Sequence, residues 1–109
     1  MASHEFGIMQ EAPVLGQRFD EYEPDKYHCI KVDDDVLELV AEQLCAADCY
    51  WHALDVPGKG LAYCGITLIP PASLPLMCDI IAEVPELADL HRMLIQAWKE
   101  DKYVIHYGL

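Results

Sequence analysis

Apolar residues recur along this chain in two rhythms, one with a spacing of three or four and one that alternates. Val36, Leu37, Val40, Leu44 and Ala47 follow the first rhythm, with Glu38 and Glu42 on the opposite side. That pattern predicts an amphipathic helix from about Asp34 to Ala47. The run Asp33-Asp34-Asp35 stands at its start. Aspartate oxygens accept bonds from the free amides of a first helical turn and favour the positive end of its dipole. A second stripe, Leu76, Met77, Ile80, Ile81 and Val84, follows Ile69-Pro70-Pro71. A residue before proline avoids helical backbone, so this second helix begins after Pro71. Ser73 suits its N-cap, and Pro75 is tolerated in its first turn. Pro85 interrupts the stripe and suits the first turn of a third helix, Glu86 to about Asp101. That helix carries Leu87, Leu90, Leu94, Ala97 and Trp98.

Strands are predicted at Phe6–Met9, Tyr27–Val32 and Tyr103–Tyr107. The stretch Cys49–Ile69 reads as two strands joined by Pro57-Gly58-Lys59-Gly60, whose glycines supply any positive φ the turn needs. Pairing Val56 with Leu61 sets Tyr50 opposite Thr67. Because side chains alternate, one face carries Tyr50, His52, Leu54, Val56, Leu61, Tyr63 and Thr67. The other carries Trp51, Ala53, Asp55, Ala62, Cys64, Ile66 and Leu68. The second set is the more apolar and is assigned to the core. A slip of one residue would exchange the two faces. Residues 10–26 hold two prolines and the acids Asp20, Glu21, Glu23 and Asp25. They read as an irregular acidic connection, fastened to the body by Phe19 and Tyr22.

The predicted order is β-β-α-β-β-α-α-β. Strands and helices do not alternate strictly, and a hairpin sits mid-chain. The expected fold is α+β: a mostly antiparallel sheet of four or five strands, with about three helices against its Trp51/Cys64/Ile66/Leu68 face. Residues 1–109 are expected to form a single domain.

Composition narrows the function classes. The chain is 53% hydrophobic, which favours a packed globule over disorder. Its formal charge is −12, and protonating all five histidines would bring it only to −7. Such a field repels DNA and RNA. Residues 1–55 hold 13 acids against three bases, while residues 56–109 hold six against four. The acidic half can attract a basic protein partner, or it can simply keep the chain soluble. Five scattered cysteines do not suggest a disulfide framework. No N-terminal apolar run resembles a signal peptide, and no stretch reaches the roughly 18 apolar residues of a membrane span. A reduced, cytoplasmic location is therefore expected.

Several constellations deserve weighing as chemistry. Cys45, Cys49 and His52 have C-x3-C-x2-H spacing but lack a fourth ligand, and cysteines are commonly structural. His4, His28, His52 and His106 all fall on or beside predicted strands. If those strands are neighbours, two or three imidazoles can converge to bind a metal or exchange protons; histidine also suits a half-exposed sheet face. A nucleophilic pair of Cys64 or Cys29 with His52 or His28 is opposed by the scarcity of cations that would lower a thiol pKa. The Asp33–Asp35 run is not a calcium loop, since Leu37 and Leu44 stand where oxygen ligands are needed. Gly58-Lys59-Gly60 lacks the frame of a phosphate loop. No catalytic residue, cofactor or metal is assigned. The leading expectation is a non-enzymatic protein acting by contact, of the regulatory, inhibitor or antidote type. The alternative is a small-molecule-binding protein or minor enzyme using Tyr50, His52, Tyr63 and Thr67 on the open face. Either is compatible with a homodimer.

Overall fold

The computed structural model describes residues 2–108. The chain runs β1 (Ser3–Ile8), β2 (Ile30–Asp33), α1 (Asp34–Glu38), α2 (Ala41–Leu44), β3 (Asp48–Trp51), β4 (Pro57–Lys59), β5 (Ile66–Ile69), α3 (Leu74–Ile81), α4 (Ala88–Lys99) and β6 (Val104–Tyr107). Short 3-10 turns at Pro71–Ser73 and Pro85–Leu87 lead into α3 and α4. The six strands form one antiparallel sheet in the order β2-β1-β6-β5-β3-β4. This is the expected α+β class, but among the described residues the sheet has six strands where four or five were expected, and there are four helices where about three were expected.

All four helices contribute to one core. Leu37, Val40 and Leu44 meet Leu74, Met77, Ile81, Leu90 and Leu94 over Phe6, Val32, Cys49, Ile69 and Val104 of the sheet. The opposite face buries a second cluster: Met9, Ile66, Leu68, Ile105 and Tyr107. No helix covers it. The irregular segment after β1 does, packing Phe19, Tyr27 and Cys29 against it. Fully burying a large apolar side chain contributes roughly 1.5–3 kcal/mol. Five left in water would forgo roughly 8–15 kcal/mol, as much as a domain's whole net stability. This strap is therefore part of the fold. Phe19 N–H donates to the His52 carbonyl at 2.8 Å, and the Tyr22 ring meets Tyr107 edge-on at 5.2 Å.

The structure corrects four expectations. The helix predicted over Asp34–Ala47 is two short helices, because Val40 leaves helical geometry at φ −122 and ψ 5. The burial of Leu37, Val40 and Leu44 survives the break, so the pattern alone reads as one helix. The strand predicted at Phe6–Met9 begins at Ser3 and lies inside the sheet, between β2 and β6. The expected hairpin also dissolves. The chain turns earlier, at 52–56, where His52 adopts φ +66 and Trp51 N–H donates to the Val56 carbonyl. Pro57-Gly58-Lys59 is then an edge strand, where a missing proline N–H costs nothing. A Cβ on Gly58 would lie 2.4 Å from the Trp51 ring, so the indole rests directly on that glycine.

Strand β5 pairs on the other side of β3, with Tyr50 opposite Leu68 and Trp51 opposite Thr67. That is one residue away from the expected register. Ile66 and Leu68 consequently face the strap rather than the helices, and Thr67 turns inward to the helix side.

Candidate functional site

Three neighbouring strands place polar side chains in the helix-side core. His106 on β6 lies opposite both Phe6 of β1 and Thr67 of β5. His4 stands two residues from Phe6 on the same face. His4 is 2% exposed, and His106 and Thr67 are fully enclosed. Polar groups so buried need partners, and these find one another. His4 Nδ1 and His106 Nε2 are 2.8 Å apart, and His106 Nδ1 lies 3.1 Å from Thr67 Oγ1. Thr67 Oγ1 also accepts the Ala62 N–H at 2.8 Å.

The outer end of this chain is Asp34, the first residue of α1. Asp33 caps that helix, its carboxylate accepting the Asp35 N–H at 2.8 Å. Asp34 N–H donates to the Ala2 carbonyl, tying the helix start to the beginning of β1. The carboxylate of Asp34 is thereby aimed at His4, whose Nε2 lies 2.8 Å from Oδ1. The Tyr63 hydroxyl donates to Oδ2 at 2.9 Å, and the Tyr63 ring meets His4 edge-on at 5.7 Å.

One proton arrangement leaves no atom of this chain idle. Burial, helped by the nearby His4, pushes the His106 pKa down to about 3, so His106 carries a single proton. His4 Nε2–H donates to the Asp34 carboxylate. His4 Nδ1 then accepts from His106 Nε2–H, and His106 Nδ1 accepts the Thr67 hydroxyl hydrogen. Among the described residues no fully buried side-chain nitrogen or oxygen lacks a partner. The bond from His4, with that from Tyr63, holds the Asp34 pKa below its ordinary value, and the same carboxylate raises that of Tyr63. Both imidazoles are thus fully engaged in fixing one anion. What they present outward is a rigid carboxylate with unused lone pairs.

Asp34 borders a cleft of about 220 Å³. Leu37, Leu44 and Leu61 make its apolar wall, Ala41 and Cys45 line the α2 side, and Tyr63 and Glu38 stand with Asp34 at the polar edge. No lysine or arginine lines it. The carboxylates of Asp34, Asp35 and Glu38 come within 4.8 Å of one another. They are the residues that can approach a cation, although acids at a first helical turn also serve its dipole.

The sequence-predicted residues are scattered by the corrected register. Thr67 belongs to the buried relay and Tyr63 to its outer end. Tyr50 lies on the other face of the sheet, against the strap-side cluster. His52 holds the strap: its Nδ1 lies 3.0 Å from the Phe19 carbonyl and 3.1 Å from Asp20, and its Nε2 accepts the Ile66 N–H at 3.4 Å. Of the four strand histidines, His4 and His106 converge, while His28 sits exposed at φ +52 in the strap. Cys45, Cys49 and His52 do not form a cluster. Cys45 is exposed, Cys49 is in the helix-side core and His52 is committed to Phe19. Sequence reasoning missed Asp34 as a site residue, reading it only as a cap. No described helix is long and apolar enough to cross a membrane. Comparison with protein-family models, curated proteins and solved structures found no match.

Proposed function

We propose that this protein binds a small molecule in the cleft between α1, α2 and the Tyr63 loop. One observation carries the reading: a carboxylate held in place by a buried histidine pair stands at the rim of an apolar cavity. Binding sites characteristically combine apolar walls with a few oriented polar groups. At about 220 Å³ the cleft is smaller than the usual range for drug-sized ligands, so its occupant is small. The test is a fragment screen by ligand-observed NMR on the full chain, run beside Ala41→Phe, which fills the cleft. Hits that vanish in a folded Ala41→Phe variant support the reading. A screen without hits, or hits that persist in the variant, defeat it.

A second reading, contact with a basic protein, is favoured by the strap's exterior. Asp20, Glu21, Glu23 and Asp25 are all exposed there, beside exposed Val14, Leu15 and Tyr22. Charge attraction of this kind accelerates association and is screened by salt. Self-pairing would use the β2 edge, since Pro57 blunts the β4 edge. A pull-down at low and high salt, with sedimentation of the bare chain, addresses both. A partner captured equally at both salts argues against charge attraction, and a purely monomeric chain argues against the dimer.

A further inference from the structure

Resting on the cleft reading, we infer that the ligand class is a small apolar amine, a cation on a compact hydrocarbon body. The polar edge of the cleft lacks free donors. His4 and His106 have no free nitrogen, and the Tyr63 hydroxyl hydrogen is already given to Asp34. The edge therefore offers acceptors only: the remaining lone pairs of Asp34 and the carboxylate of Glu38. A ligand must bring the donors. With no lysine or arginine in the lining and a chain charge of −12, it must also bring the positive charge; an anion would meet repulsion.

The Asp34 carboxylate is suited to this by its fixation. His4 on β1 and Tyr63 on the β4–β5 loop each hold one of its oxygens, and its backbone N–H is bonded to Ala2. Little side-chain freedom is left to lose when an ammonium group docks. Size sets the body. An apolar cavity of about 150 Å³ holds benzene. The 220 Å³ here therefore accommodates a six-membered ring with a short tail, on the order of eight to ten heavy atoms by the same scaling. The leucine walls take the ring, and the tail carries the amine to Asp34.

Three probes of matched shape separate the possibilities: 2-phenylethylamine, 2-phenylethanol and phenylacetate, titrated calorimetrically into the full chain near neutral pH. Charged hydrogen bonds outweigh neutral ones. The amine is expected to bind at least about tenfold tighter than the alcohol, and phenylacetate weakest of the three. Asp34→Asn should bring the amine to the level of the alcohol, and Ala41→Phe should remove both. Should Asp34→Asn fail to fold, Glu38→Gln carries the charge test. It should weaken the amine about threefold, as expected of a solvent-facing charge, and leave the alcohol unchanged. An alcohol that binds as well as the amine overturns the cation assignment and leaves the cleft reading standing. So does an amine affinity indifferent to the charge variant tested. Tightest binding by phenylacetate also overturns the assignment. Failure of all three probes to bind overturns the assignment, and if the fragment screen is also empty the cleft reading falls with it.

Discussion

Replacing Thr67 by valine keeps the volume and branching of a fully buried side chain and removes one oxygen. That oxygen accepts the Ala62 N–H at 2.8 Å and is bonded to His106 Nδ1 at 3.1 Å. Both partners are left behind. A buried polar group deprived of its partner costs about 1–3 kcal/mol. Two such groups, one of them at a partly buried loop amide, give an expected loss of about 2–4 kcal/mol. For a chain of this length each kcal/mol lowers the melting temperature by roughly 4 °C, so the expected fall is roughly 8–16 °C. Urea unfolding at neutral pH measures the free energy directly, and an unchanged slope would show that the denatured state is unaffected. Removing the partner as well tests the same bond. Adding His106→Leu to Thr67→Val removes the stranded imidazole, so the double variant should lose less than the sum of the two single losses. A single-variant loss below about 0.5 kcal/mol, or strictly additive losses, would refute the view that Thr67 closes the buried end of the relay.

Three further changes test other parts of the fold. His106 is held neutral with its pKa lowered from 6.5 to about 3, so between these values the unfolded chain binds the extra proton. Stability from this residue is complete above pH 6.5 and declines by about 1.4 kcal/mol per pH unit as the pH falls toward 3. Wild type should therefore lose more than His106→Leu between pH 7 and pH 5, and equal losses would contradict the assignment. Gly7→Ala would set a Cβ 2.7 Å from the Tyr27 carbonyl oxygen and 2.8 Å from Cys29 Sγ. It should cost about 1–3 kcal/mol in thermal unfolding, as overpacking does. Thiol titration of the native protein should find Cys45 and Cys64, both exposed, reacting fast. Cys49 and Cys29, their thiols pushed up to about 12 by burial, should react only on unfolding. Rapid modification of Cys49 would mean that the helix layer opens readily.

The elements were legible wherever one local rule decided them. Asp33 reads as a cap because its own carboxylate does the capping, and the Leu90, Leu94 and Ala97 stripe reads as a helix because one face meets the core. Val104–Tyr107 reads as a strand from its composition, and the strap's anchors Phe19 and Tyr22 were visible as lone aromatics among acids. The site was not legible, because it is made by register. His4 and His106 are 102 residues apart, and only the β1–β6 pairing joins them. Their presence on strands signalled that imidazoles can converge, but not that these two do so in the helix-side core. The β3–β5 register was lost for a related reason. His52 turns the chain at a positive φ that is uncommon outside glycine, while Pro57-Gly58-Lys59-Gly60 carries every sign of a turn. The resulting shift of one residue moved Thr67 from an open face into the buried relay.

The place of β1 has a consequence for how the chain acquires its structure. Its pairing with β6 joins residue 5 to residue 107 and residue 8 to residue 104. During synthesis β1 emerges ahead of the other described strands, and β6, its neighbour on that side, emerges after them. Until then β1 and β5 both present unpaired edges, and the seam between them stays open. Contacts so distant in sequence pay a large loop-closure entropy before any pairing is gained, which slows folding. Closure of this seam is also the step that brings His106 between His4 and Thr67. The relay is therefore expected to form late, and changes within it should speed unfolding far more than they slow folding.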